Sequence, residues 1–302
     1  MSLFSIMTHV ATLISAPASP AVTAAVIDAA ALRLGATGTA TLAQGIATDI
    51  FVTIEPGTEK QVAEDLRARL SAPIDVVVQK LAGRAKGLLI ADMDSTMIGQ
   101  ECIDELAAEV GLKDHIAAIT ERAMQGEIAF EPALRERVAL LAGLDSNVVD
   151  RVIAERIRLT PGAVELVRTM RANGAWTALV SGGFTVFTGP VSRMIGFHEH
   201  RSNLLIEEAG KLTGTVAEPI LGQDAKRASL LELAASKKVP MALTLAVGDG
   251  ANDLAMLREA GLGVAYHAKP RVATEAHARI DHADLTALLY MQGYRKAEFV
   301  HE

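Results

Sequence analysis

Two short acidic runs stand out as residues that could do chemistry. The first, Asp92-Met93-Asp94-Ser95-Thr96, follows the apolar run Gly87-Leu88-Leu89-Ile90-Ala91. In extended backbone, residues two apart share a face, so Asp92 and Asp94 can aim at one site while Met93 turns away. The second, Gly248-Asp249-Gly250-Ala251-Asn252-Asp253, follows the apolar run Leu243–Val247 and opens a helical segment. Its glycines allow close backbone approach, and its carboxylates are hard oxygen donors of the kind magnesium takes. Either acidic turn alone is commonly just solvated. With both at the ends of strand-like runs, the expectation is one shared site at the carboxyl edge of a sheet, where open α/β sheets place their ligands.

Two further features would suit an anionic ligand. Val180-Ser181-Gly182-Gly183-Phe184 ends another apolar run just before a helical stretch, Thr185–Ile195, so backbone N–H groups and a hydroxyl are available at a helix start. Lys226, in Gln223-Asp224-Ala225-Lys226, is a helical cation that by itself would be an ordinary surface charge. The same default applies to Glu101 and to Arg137 in Leu134-Arg135-Glu136-Arg137-Val138, and core packing is the default for Met124 and Phe130.

The elements that must position these residues are readable from Gly87 onward. Strand-like runs (Leu88–Ala91, Trp176–Val180, Leu243–Val247, Gly263–Tyr266) alternate with helix-period segments, which predicts an α/β fold with a doubly wound parallel sheet. Pro161–Asn173 reads as a helix with Thr160 as N-cap, proline at its first position and Gly174 at its end. Between Ile98 and Leu159 the apolar spacing is helical (Glu101–Val110, Glu131–Leu141, Val148–Ile157), predicting a helical cap inserted at about 98–160. Asn203–Ala217 reads as a hairpin turning at Ala209-Gly210-Lys211. The first 80 residues have another rhythm: strand His9–Ser15, helix Pro20–Leu34, strands Thr39–Gln44 and Asp49–Ile54, helix Glu59–Leu70, strand Ile74–Gln79. That β-α-β-β-α-β order predicts a small α+β ferredoxin-like unit over residues 1–85, ahead of the larger unit over 86–302.

Composition narrows the function. A net charge of −7 and only 4% aromatic residues argue against an extended nucleic-acid interface. No apolar run approaches the roughly 18 residues of a membrane helix, so no membrane partner is expected. Leu3–Ala16 is apolar and precedes small residues, but His9 interrupts it and the first Lys or Arg is Arg33, so a secretory signal is not expected and the cytoplasm is. Cys102 is the single cysteine, which excludes an internal disulfide and a thiolate-rich zinc site and suits a small buried hydrophobe. The eight histidines show no paired metal-ligand spacing, and His198 and His200 read as a solvated turn.

Taken in order, the four loops resemble the motifs of the haloacid-dehalogenase-like phosphatases over about Ala85 to Leu289. Asp92-Met93-Asp94-Ser95-Thr96, Glu101, Phe130 to Leu141, Val180–Phe184 and Val247–Asp253 are similar to the phosphoserine phosphatases within that family. The resemblance implies Asp92 as nucleophile forming an aspartyl-phosphate, and Asp94 as acid and then base. It also implies Mg2+ between Asp92, Asp249 and the Asp94 carbonyl, with Asp253 orienting that shell. Ser181, the Gly182 N–H and Lys226 would hold the phosphoryl group, and Asn252 would position substrate or water. In the cap, Glu101 would meet an ammonium and Arg137 a carboxylate, with Met124 and Phe130 closing over a small-molecule substrate, phosphoserine. The first unit resembles ACT-like ligand-binding modules, for which serine binding, homodimer formation and simple packing all stay open. The rivals are a related phosphatase or phosphotransferase on another small phosphomonoester, which has no use for the Glu101–Arg137 pair, and a non-catalytic sensor, which would tolerate a broken catalytic set.

Overall fold

His9–Ser15 is buried at every position because it is an inner strand with both faces covered. Ala11 and Leu13 pack among Ala30, Leu66 and Val76 under two helices, whereas Ile14 faces the opposite way and joins the core of the rest of the chain. This is the period-two alternation of a strand with two hydrophobic faces. The computed structural model describes residues 7–301. The apolar stretch that begins at Leu3 therefore starts outside the described residues, and from His9 it is strand β1.

The first sheet comprises β1 (His9–Ser15), β2 (Gly38–Ala43), β3 (Ala47–Val52) and β4 (Ile74–Lys80), antiparallel in the order β2-β3-β1-β4. Helix α1 (Ala24–Leu34) starts four residues inside the expected Pro20 start, where the Thr23 side chain accepts the Val26 N–H, and stops at Gly35 in the left-handed conformation. Helix α2 (Glu59–Arg67) follows β3, giving the β-α-β-β-α-β order read from the sequence.

The second sheet takes β5 (Leu88–Ala91), β6 (Trp176–Phe184), β7 (Glu199–Asn203), β10 (Thr244–Gly248), β11 (Leu262–Tyr266) and β12 (Ala278–Ile280); a hairpin, β8 (Leu205–Glu208) and β9 (Lys211–Val216), follows β7. All the pairings in this second sheet are parallel, in the order β12-β11-β10-β5-β6-β7. The chain thus runs from β5 outward to β6 and β7, then crosses to β10 on the other side of β5. That reversal opens a crevice at the carboxyl ends of β5, β6 and β10. Over it lie α3 (Cys102–Ala108), α4 (Lys113–Gln125), α5 (Phe130–Ala139) and α6 (Val148–Glu155). The sheet faces are covered by α7 (Ala163–Ala172), α8 (Thr185–Ile195), α9 (Gln223–Ser236), α10 (Leu254–Glu259), α11 (Pro270–Glu275) and α12 (Ala287–Met291).

Several sequence expectations need correction. Helix α7 begins at Ala163, not at Pro161, because Gly162 sits at φ 83 and ends a tight turn. A Cβ there would lie 2.6 Å from the Thr286 backbone nitrogen, so this turn requires glycine. Strand β6 runs on through Ser181-Gly182-Gly183 to Phe184, with a register shift against β7 between Val180 and Phe184. His200 lies in β7 and not in a turn; His198, just before it, stacks on Trp176 with ring centroids 4.2 Å apart. Helix α4 was not among the helices expected between Ile98 and Leu159.

The two sheets are fastened by buried polar contacts. The Asp75 carboxylate, on β4, accepts the N–H groups of Asp281, His282 and Ala283 at 2.7, 3.2 and 2.9 Å. Arg84 pairs with Asp49 at 2.6 Å and donates to the carbonyls of Tyr290 and Met291. Among the described residues, no helix is long and apolar enough to cross a membrane.

Candidate active site

The Asp92 N–H donates to the Val247 carbonyl at 3.0 Å, which sets the end of β5 beside the Gly248-Asp249 end of β10. After Asp92 the backbone stays extended at Asp94 (φ −65, ψ 138), turns left-handed at Ser95 (φ 54) and closes with the Ile98 N–H on the Met93 carbonyl. Asp92 and Asp94 consequently line one cavity, while Met93 packs into the core.

From α9, the Lys226 ammonium reaches Oδ1 of Asp92 and Oδ1 of Asp253, each at 2.7 Å. The other Asp253 oxygen accepts the N–H groups of Asp249 and Gly250 at 3.2 and 3.1 Å. Gly248 has to be glycine, since a Cβ would stand 2.4 Å from the Asp253 carboxylate. Asp249 Oδ1 accepts the Thr96 hydroxyl at 3.2 Å. Among the described residues nothing donates to Oδ2 of Asp92 or of Asp249.

Asp92, Asp249 and Asp253 present carboxylate oxygens within 4.8 Å of one another, all buried. Burial, then the neighbouring Asp253 charge, raises Asp92 well above the usual carboxylate range and pushes Asp249 up to about 7. Burial disfavours the Lys226 charge, yet Asp253 and Asp92 outweigh it and raise the lysine. Three carboxylates against one ammonium leave an excess of buried negative charge on hard oxygen donors. These residues therefore fit a divalent cation. With both Asp253 oxygens already engaged, the donors left for it are on Asp92 and Asp249, and Asp253 orients Lys226 and the loop.

Asp94 Oδ1 accepts the Cys102 N–H at 2.9 Å, and its Oδ2 accepts the Ser181 hydroxyl at 3.3 Å. The Ser181 oxygen in turn accepts the Gly183 N–H at 2.8 Å. Burial raises Asp94, favouring its protonated form. Cys102 is buried, as expected, and burial raises its thiol further.

The helices above complete a small cavity lined by Asp92, Asp94, Glu101, Met124, Phe130, Arg137, Ser181, Gly182 and Asn252, among others. Glu101 accepts the Ser95 hydroxyl at 2.7 Å and is held well above its ordinary range by burial and by Asp94. Arg137 is 2% exposed, donating from Nε to the Ala133 carbonyl at 3.0 Å and from Nη1 to the Thr120 hydroxyl at 2.9 Å. Phe130 sits so close over Gly182 that a Cβ there would lie 2.6 Å from the ring, and Met124 sulfur abuts Gly250 in the same way. Asn252 Oδ1 is buried without a hydrogen-bond partner beside the cavity.

All the residues singled out from sequence thus gather at this crevice, with Lys226, Asp249 and Asp253 forming the layer beside Asp92. Sequence reasoning gave Thr96 no role and missed Thr120, Asp104 and Asn203. Asn203, at the end of β7, holds the Gly182 carbonyl at 2.8 Å and takes the Leu221 N–H at 2.6 Å. Tyr266 and His267, at the end of β11, do not line the cavity; His267 bonds the Ala283 carbonyl.

A family model of haloacid dehalogenase-like hydrolases matches residues 89–258, which span β5, the helices above the crevice and the acidic loop after β10. The chain belongs to the haloacid dehalogenase-like hydrolases. Within that family it is similar to the phosphoserine phosphatase of Streptomyces coelicolor, 45% identical over 231 residues that make up 76% of this chain and 56% of the relative. The chain thus spans little more than half the length of that relative. It is 46% identical to the phosphoserine phosphatase of Albidiferax ferrireducens over 207 residues, 67% of this chain and 87% of the other. A solved structure described as a phospho-aspartyl intermediate analogue of phosphoserine phosphatase superposes with a TM-score of 0.65 at 38% identity, covering 68% of this chain and 98% of that one.

Proposed function

We propose that this protein hydrolyses O-phospho-L-serine to L-serine and phosphate through an aspartyl-phosphate on Asp92. The observation that carries the reading is one small cavity holding a nucleophile and an acid, Asp92 and Asp94, together with a partly buried Glu101 and a buried Arg137. An amino acid's ammonium and carboxylate would satisfy those two charges. A sugar phosphate would leave both unpaired in a closed site, which is costly.

In this account the Asp92 carboxylate attacks phosphorus as the bond to the serine oxygen breaks, and Asp94 gives that oxygen its proton. Water then attacks phosphorus, returning a proton to Asp94 and restoring the Asp92 carboxylate. Ser181, the Gly182 N–H and Lys226 hold the phosphoryl oxygens. Asn252, whose Oδ1 lacks a partner, is available to position substrate or water. Mg2+, held by Asp92, Asp249 and the Asp94 carbonyl, would supply charge neutralisation for phosphate.

We assign residues 86–302 to the catalytic unit, with a helical cap at about 98–160, and residues 1–85 to an ACT-like module. The antiparallel β2-β3-β1-β4 sheet under two helices supports the latter. The reaction is the last step of serine biosynthesis, in the cytoplasm. Phosphate release from phosphoserine, phosphothreonine and several sugar phosphates, with magnesium and with excess chelator, tests the function. Preference for phosphoserine that chelation abolishes is the expected result; equal release from sugar phosphates would overturn the roles of Glu101 and Arg137.

A further inference from the structure

Helices α3, α4 and α5 meet at a single hydroxyl. Thr120, on α4, accepts a hydrogen bond from Nη1 of Arg137, on α5, at 2.9 Å. Its one proton can go to Asp104 Oδ1, on α3, at 2.8 Å, or to the Ile116 carbonyl at 3.0 Å. The charged and nearer oxygen is the stronger acceptor. Among the described residues Arg137 and Asp104 form no direct ion pair, so the hydroxyl is the link between guanidinium and carboxylate. All of the participants are buried: Asp104, Thr120 and Arg137 are 9%, 3% and 2% exposed.

A guanidinium is planar, so two fixed N–H groups fix the direction of the rest. Nε is tied to the Ala133 carbonyl and Nη1 to Thr120, while Nη2 makes no hydrogen bond to the described residues and belongs to a side chain that lines the cavity. We infer that Thr120 and Asp104 are positioning residues that set selection for the substrate's carboxylate by aiming Arg137. This rests on the proposed phosphoserine reading and names the residues that enforce it. Neither touches the cavity, and neither takes part in bond making.

Valine at position 120 keeps the shape, removes the hydroxyl and leaves Nη1 and Asp104 Oδ1 without their shared partner. O-phosphoethanolamine carries the phosphate ester and the ammonium of phosphoserine without its carboxylate, so it reports everything except the Arg137 contact. The test measures kcat/KM on both compounds for the full-length wild type, Thr120→Val, Thr120→Ser and Asp104→Asn. Thr120→Val should lower the preference for phosphoserine about 10- to 100-fold, chiefly through KM, with Asp104→Asn in the same direction and Thr120→Ser restoring the preference. An equal fall on both compounds in Thr120→Val and Asp104→Asn would mean a merely structural role and overturn the inference, as would an unchanged preference. Should the wild type itself not discriminate between the two compounds, the reading of Arg137 fails first, a result visible before any variant is compared.

Discussion

Lys226 Nζ lies 2.7 Å from Oδ1 of Asp92, and both groups are buried. The ammonium is shared with Asp253 at the same distance, so one cation holds together two carboxylates that would otherwise repel across the floor of the crevice. The contact also leaves Asp92 only one oxygen without a protein partner, because Oδ1 takes the Met93 N–H as well.

Removing that cation should damage both folding and chemistry. Lys226→Met leaves two buried carboxylates uncompensated, a loss of about 3–5 kcal/mol, and turnover should fall on the order of 10³-fold. Urea unfolding and phosphate release measure the two effects. Adding Asp253→Asn to Lys226→Met should recover part of the stability and none of the turnover; full stability in the single variant would contradict the assignment.

Asp94 serves two steps, and they can be separated by the leaving group. With phosphoserine, Asp94→Asn should lower kcat about 10²- to 10⁴-fold. An aryl phosphate has a leaving group that needs no proton, so the same variant should release close to one equivalent of phenol per site in a burst, then stall before water attack. Slow release with no burst would remove Asp94 from the second step.

Metal binding and proton binding compete at Asp249. Its carboxyl is pushed from 3.8 up to about 7 in the folded protein, by burial first and then by Asp253. The folded state thus holds the proton more tightly than the unfolded state, so this group's contribution to metal-free stability is complete below its unfolded value and is lost as pH rises through the folded one. Magnesium needs the ionised form, so the rise in Tm on adding magnesium should be small near about pH 5.5 and grow through neutrality. A shift of equal size at both ends of that range would count against Asp249 as a ligand.

The strand-end loops were legible because each is contiguous in sequence: alternation alone pairs Asp92 with Asp94, and glycines mark the close approach at Gly248. What was not legible depends on long-range geometry. Thr96 meets Asp249 across 153 positions, and its place at the end of the Asp92–Thr96 run gives no sign of such a partner. Strand β7, Glu199-His200-Arg201-Ser202-Asn203, has no apolar residue, because it is an edge strand paired only with β6. Helix α4 escaped notice because its buried stripe mixes Ile116, Ile119, Thr120, Ala123 and Met124, so its hydrophobic signal is diluted by small and polar residues.

The contact between the sheets should be separable from catalysis. Asp75→Ala removes the acceptor for three N–H groups at the end of β12, and should cost about 2–4 kcal/mol without altering kcat. Asp75→Asn, which keeps one acceptor oxygen, should recover part of the loss in a urea titration. A parallel loss of kcat would instead tie the first sheet to the crevice.

The most direct test of the central claim is a single-turnover reaction with phosphoserine labelled in its phosphate, quenched in acid and digested. The account predicts label on the peptide that contains Asp92, absent in Asp92→Asn and chased by longer incubation in wild type. Turnover of the substrate with no label on that peptide at any time would contradict it.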